Sequence, residues 1–300
     1  MALQQKKTIA FIFLALFASL GAGRSEEMRE EIQKEPEFSL PSLYSWRGDF
    51  DGMMERRTIR ILVPYSKTLF FISKGKEYGI VAELGQELER WINAKEHTGS
   101  QFFRVVLIPK KRDELLSALI SGEGDIVAGN LRVTPERREI VDFTMPTLRN
   151  VKEIIVTGPA SPAINTLDDL SGTDAYVCLS STYAQDLELL NDQFEKSGKK
   201  LVNIKALDEN LEDEDILEMV NAGMLPYAIV HQNIGDLWQR VFTNIKVRDD
   251  IAVAPGGILH GLLEKDRRFS RKNSRSLLAI MGRKVDIEIF SCTNIILAVI

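Results

Sequence analysis

Apolar and polar positions alternate in blocks along this chain. In "TIRILVPYS" (58–66) apolar and β-branched side chains run to Pro64, which predicts a buried strand. "GIVAELGQELERWINAK" (79–95) changes the period: Val81, Leu84, Leu88, Trp91 and Ile92 fall on one helical face. "FFRVVLIP" predicts a second strand, "RDELLSALISGEG" a helix closed by glycine, and "DIVAG" a third strand. A second cycle opens at "EIIVTG" (153–158). It continues through "LDDLSG", the strand "AYVCLS", a helix from Thr182, the helix "EDEDILEMVNAG" and the strand "YAIV" (227–230). Alternating elements of this kind predict an α/β fold with a mostly parallel sheet. Breaks near 150 and near 248–255 divide it into two lobes, and a chain crossing twice leaves a cleft that can close around a ligand. The expected organisation is lobe 1 at 57–150 plus about 249–258, and lobe 2 at 151–248.

The flanks read differently. Lys6-Lys7 precede "TIAFIFLALFASLGAG", the charged, apolar and small-residue regions of a signal peptide over 1–24. Export to the periplasm is expected, with an uncleaved anchor as the weaker alternative. Residues 25–56, acidic and polar with scattered aromatics, read as a leader before the fold. Composition adds mainly exclusions. The 300 residues are 44% hydrophobic and 27% charged with net charge −5, which gives no sign of nucleic-acid binding. Cys178 and Cys292 are the only cysteines, and His97, His231 and His260 lie far apart, so neither a disulfide framework, a metal site nor a cofactor is expected.

The chemistry concentrates in "GDIVAGNLRVTPERREIVDFTMP" (124–146). Ligands of open α/β sheets bind beyond the carboxyl ends of strands, and residues 129–137 occupy that edge. Thr134-Pro135 opens a helix whose first turn carries Arg137 and Arg138, an arrangement that the helix dipole disfavours. Arg137 there suits a ligand carboxylate; the alternative is a solvated surface arginine paired with Glu136 or Glu139.

That stretch resembles the signature of the bacterial extracellular solute-binding proteins of family 3, in which a T-x-E-R run precedes V-D-F. The similarity runs from about Trp46 to Gly257. "WRGDFDGMMERRTIRILVPYSKTLFF" (46–71) is similar to the substrate-binding-like N-terminal module of the membrane-bound lytic murein transglycosylase F group. The resemblance implies a two-lobed, type II periplasmic-binding-protein-like fold with a cleft between lobes, in which Arg137 grips a ligand carboxylate. It further implies Tyr65 and Phe70 as apolar walls (core aromatics otherwise), Asn130 and Arg132 beside them, and Ser181 or Thr182 of "LSSTYAQDL" as anion-facing hydroxyls, unless they merely cap a helix. Two positions depart from the family: Arg132 stands where a threonine is common, and His231 where an aspartate takes the ligand's amino group. Both shift the cleft toward anions and away from free α-amino acids.

After "VAPGGI" the resemblance is expected to stop. Read one frame over, codons compatible with Leu259 to Arg268 can spell A-W-A-V-R-K-G-S-P, which looks like the family here, so 259–300 reads as an atypical, out-of-frame tail. Two functions stay open. One is a binding module for a small carboxylate (amino-acid-like, a dicarboxylate, or a peptide or muropeptide), with a transporter permease or peptidoglycan as partner. The other is a truncated lytic transglycosylase. Such enzymes use a glutamate followed by serine, and no Glu-Ser dipeptide occurs in the chain. A dehydratase using His231 and Glu136 is a third, weaker reading.

Overall fold

A computed structural model describes residues 45–95, 102–144 and 148–264. Lobe 1 is built on β1 (Thr58–Pro64), which a small antiparallel pair follows, β2 (Phe71–Ser73) and β3 (Lys76–Tyr78), and which parallel β4 (Arg104–Lys110) and β5 (Ile126–Arg132) flank. β1 is buried on both faces, so its apolar run is nearly continuous. Its exception, Arg60, is fully buried and donates to Asp125 through Nη2 at 3.0 Å, while its backbone N–H donates to the same carboxylate at 2.8 Å. The helix α2 (Ile80–Lys95) covers the sheet with Val81, Leu88 and Ile92, on the predicted face.

Part of the expected leader belongs to this lobe. The helix α1 (Phe50–Glu55) is N-capped by Asp49, whose side chain accepts from Gly52, and it buries Phe50 and Met53 in the same core. A single helical turn and a half is too short for its apolar spacing to stand out from a polar segment. The 3-10 turn Arg112–Glu114 leads into α3 (Leu115–Ile120), and α4 (Pro135–Ile140) with the short strand β6 (Val141–Phe143) follow β5.

Lobe 2 holds the parallel pair β8 (Asp174–Val177) and β9 (Asn203–Ala206), the helices α5 (Thr182–Lys196), α6 (Asp213–Asn221) and α7 (Gln232–Trp238), and the strand β10 (Tyr227–His231). Its two apolar clusters centre on Leu187, Tyr227 and Ile229, and on Leu217, Val230 and Trp238. No helix of the described residues is long and apolar enough to cross a membrane.

The lobes share one seven-stranded sheet, six strands of it in the order β10-β7-β11-β5-β1-β4 and β6 pairing with β11 beside that path; two long antiparallel strands, β7 (Leu148–Thr157) and β11 (Lys246–Glu264), join the lobes. The sheet is therefore mixed, and the mostly parallel arrangement holds only for β4-β1-β5 and the separate β8-β9 pair. The return crossing also lies later than 249–258. Ile251 is still buried in the core of lobe 2, and pairing with β5 and β6 is made by 259–264. A crossing strand alternates between two cores, so no composition change marks the boundary. Register breaks interrupt β11 between Arg248 and Ile258, and Asn150 of β7 adopts φ +56°. A Cβ on Gly256 would lie 2.8 Å from the Asn150 Cα, so only glycine allows the strands this approach. Backbone 259–264 continues a strand; the rest of the suspected tail, 265–300, and the expected signal peptide lie outside the described residues.

Candidate functional site

A cavity of about 90 Å³ lies between the lobes, a fraction of the 300–1,000 Å³ of typical ligand pockets. Lobe 1 lines it with Arg112, Asn130, Arg132 and Arg137; lobe 2 contributes residues 180–183 and His231. Asn130 ends the apolar part of β5 at φ +53°, a conformation asparagine tolerates better than most residues. Arg137 follows the cap Thr134, whose hydroxyl accepts from the Arg137 backbone N–H at 3.3 Å.

The three arginines of the cavity differ in what they meet. Arg112 makes a forked pair with Glu212 across the lobes, with Nε 3.1 Å from both carboxylate oxygens, and donates to the Gly129 carbonyl at 2.7 Å. Arg132 also crosses. Its Nη1 donates to Glu153 at 2.7 Å and also pairs with Asp186, to which Nη2 donates at 3.0 Å. Arg137 donates only to the carbonyl oxygen of Arg132, at 2.9 Å, and among the described residues no carboxylate lies within ion-pair distance of it. Burial and the like charges of Arg112 and Arg132 pull its pKa below the usual arginine value. Of the three cavity arginines it is the one left without a carboxylate. Arg138, beside it, is exposed and stacks over Phe143.

The lobe 2 wall is a polar network. His231 sits opposite Glu153 in the β10-β7 ladder, with Nε2 3.6 Å from Glu153 Oε1. Thr182 Oγ1 donates to the same oxygen at 2.8 Å. Burial opposes ionisation of Glu153, but bonding to His231 and Asp186 and the Arg132 charge hold its pKa at about 2. Burial and the neighbouring Glu153 push Asp186 up to about 6, against the pull of Arg132. The Tyr183 hydroxyl donates to Asp213 at 2.9 Å, accepts from the His231 backbone N–H at 3.1 Å, and lies 3.2 Å from His231 Nδ1. Ser181 is the N-cap of α5, accepting from Ala184 at 3.3 Å, and the first turn of that helix faces the cavity. Such an end favours anions. Burial pushes the Cys178 thiol up to about 12, an unreactive lining group.

The lobes meet again beside the cavity. Glu214 of α6 accepts from Ser66 Oγ at 2.7 Å, Thr68 N at 3.2 Å and Thr68 Oγ1 at 3.1 Å, while Trp238 Nε1 donates to Thr68 Oγ1 at 2.9 Å.

Residues 61–287 match the bacterial extracellular solute-binding proteins, family 3. The chain belongs to that family. The match passes Gly257, where the resemblance was expected to end. Curated relatives include the membrane-bound lytic murein transglycosylase F of Shewanella pealeana, 32% identical over 44% of this chain and 26% of that protein. That of Aeromonas hydrophila is 24% identical over 67% of this chain and 38% of its own length. The chain thus aligns with well under half of these relatives. Among solved structures, a putative L-cystine ABC transporter protein from Listeria monocytogenes superposes with TM-score 0.60 at 19% identity, covering 77% of this chain and 92% of that one. An amino acid ABC transporter substrate-binding protein from Streptococcus pneumoniae, bound to L-arginine, gives 0.60 at 13% identity over 82% and 98%. These fix the fold as the two-lobed type II binding-protein architecture.

Within this family fold, the structure gathers Asn130, Arg132, Arg137, Ser181, Thr182 and His231 around one cavity. Tyr65 and Phe70 do not line it. Phe70 is 1% exposed in the lobe 1 core and Tyr65 is 58% exposed, because the Ser66–Phe70 bridge turns the segment toward α6 rather than into the cleft. Glu136 is exposed and does not line the cavity with His231, which removes the dehydratase pairing. Sequence reasoning missed Arg112, Glu153, Asp186 and Glu212. Asp186 lay inside the quoted "LSSTYAQDL", in the first turns of the helix expected from Thr182.

Proposed function

We propose that this chain is an exported, periplasmic solute-binding module that holds a small carboxylate-bearing ligand between its lobes through Arg137. One observation carries the reading: a half-buried guanidinium lines the interlobe cavity with a single carbonyl as partner, while both neighbouring arginines are matched by carboxylates. A ligand carboxylate would restore the balance, and the first turn of α5 supports the same charge from the opposite lobe. A charge-assisted hydrogen bond of this type contributes about 1.5–3 kcal/mol. Thermal-shift titration with succinate, L-aspartate, L-glutamate and peptidoglycan stem peptides tests it, since a bound ligand stabilises in proportion to RT ln(1 + [L]/Kd). A carboxylate is expected to raise Tm, and Arg137→Ala to abolish the rise with unchanged far-UV circular dichroism. A rise that survives the substitution removes Arg137 from the site. The solved neighbours support a transporter permease as partner.

The curated relatives support a second reading, in which the module serves a lytic transglycosylase F-like protein of the cell wall and senses peptidoglycan fragments. In both readings the chain itself binds rather than cleaves. Clearing of a peptidoglycan zymogram by this chain would contradict both.

A further inference from the structure

Arg132 occupies an acidic subsite that the protein itself supplies. Glu153 and Asp186 are buried side by side on lobe 2, 0% and 6% exposed, and both accept from the guanidinium of Arg132, which reaches them from lobe 1. Buried carboxylates require a cation, and here a side chain of the same molecule is that cation. The fit is incomplete. Glu153 Oε2 is buried with no hydrogen-bond partner, so the subsite keeps acceptor capacity that the tethered guanidinium does not use. Arg132 lines the cavity beside the under-compensated Arg137, whose Nη1 donates to the Arg132 backbone carbonyl at 2.9 Å.

We propose that Arg132 is the specificity-determining residue of the cleft: it stands in for a ligand ammonium in the Glu153–Asp186 subsite, so the site accepts carboxylates that lack an amino group and rejects amino acids. The proposal rests on the carboxylate reading of Arg137 for its anion half only. An incoming ammonium would meet three arginines with the two subsite carboxylates already neutralised. Like charge placed against a ligand is an effective way to exclude it. Without the Arg132 side chain, Glu153 and Asp186 lose the cation they share, Glu153 keeping the Thr182 hydroxyl, and the pair becomes a receptor for a ligand cation.

The test compares the full chain with Arg132→Ala and Arg132→Lys, using succinate, L-aspartate (the same skeleton with one ammonium added) and ethylguanidine, which lacks a carboxylate. The wild type is expected to prefer succinate to L-aspartate by at least about tenfold, the loss from a single unfavourable charged contact. Arg132→Ala is expected to gain L-aspartate and to be stabilised by millimolar ethylguanidine, which leaves the wild type unmoved. Arg132→Lys keeps a cation and the wild-type preference, which covers the case of an alanine variant that fails to fold. Equal wild-type affinity for succinate and L-aspartate overturns the proposal, as does an Arg132→Ala protein that folds without gaining L-aspartate or ethylguanidine. Failure of the Arg137 reading looks different: no carboxylate then binds the wild type, while ethylguanidine still stabilises Arg132→Ala and upholds the tethered-cation subsite.

Discussion

Glu214→Ala isolates the contact between the lobes from the ligand cavity. Glu214 is 2% exposed and accepts three hydrogen bonds from lobe 1, two from Thr68 and one from Ser66. Thr68 also receives the Trp238 indole N–H, so the bonds form one network across the gap. Truncation leaves buried donors short of an acceptor, at about 1–3 kcal/mol each. The Thr68 N–H retains an acceptor, since it also donates to Ser66 Oγ at 3.1 Å, which leaves the Ser66 and Thr68 hydroxyls as the stranded donors. The net loss is therefore about 2–4 kcal/mol, or roughly 30- to 1,000-fold in the equilibrium between joined and separated lobes. Because burial already raises the Glu214 pKa, the neutral isostere in Glu214→Gln, which keeps the acceptor oxygen, should cost far less. Small-angle scattering and Trp238 emission read the outcome: Glu214→Ala expands the particle and shifts emission to the red, and Glu214→Gln does neither. An alanine variant with unchanged radius of gyration and emission would show that this contact does not hold the lobes together.

Acidity should act on the same interface with two opposite signs. Burial pushes Glu212 up to about 7 against the pull of Arg112, so its contribution is full below the ordinary 4.5 and is lost as pH rises through about 7. Glu153, held at about 2, contributes above 4.5 and loses that contribution as pH falls toward 2. Tm should therefore peak on the mildly acidic side, and a Tm that falls steadily from pH 8 to pH 5 contradicts the assignment. In lobe 1, Asp125→Ala removes the carboxylate that matches the fully buried Arg60 charge, leaving it the Trp46 carbonyl, and should destabilise by about 3–5 kcal/mol in urea unfolding, with the lobe 2 core retained. A loss below 1 kcal/mol would mean that the remaining neutral partners suffice for the Arg60 charge.

The hydrophobic periods alone determined the α/β class, the division into two lobes and most of the helices, because each element buries one face against a local sheet and that face is written at fixed spacing. "TPER" and its neighbours likewise marked the edge of the cavity, since an arginine in the first turn of a helix opposes the local dipole and stands out in the sequence. Tertiary structure alone decided what each charge meets. Glu153 and His231 are 78 positions apart and become neighbours only through antiparallel pairing of β7 and β10. Arg132 finds Asp186, and Arg112 finds Glu212, only because the lobes face each other. Even the return crossing depends on which core β11 packs against at each step. Spacing along a chain encodes a face, whereas charge balance in a cleft depends on distances across it.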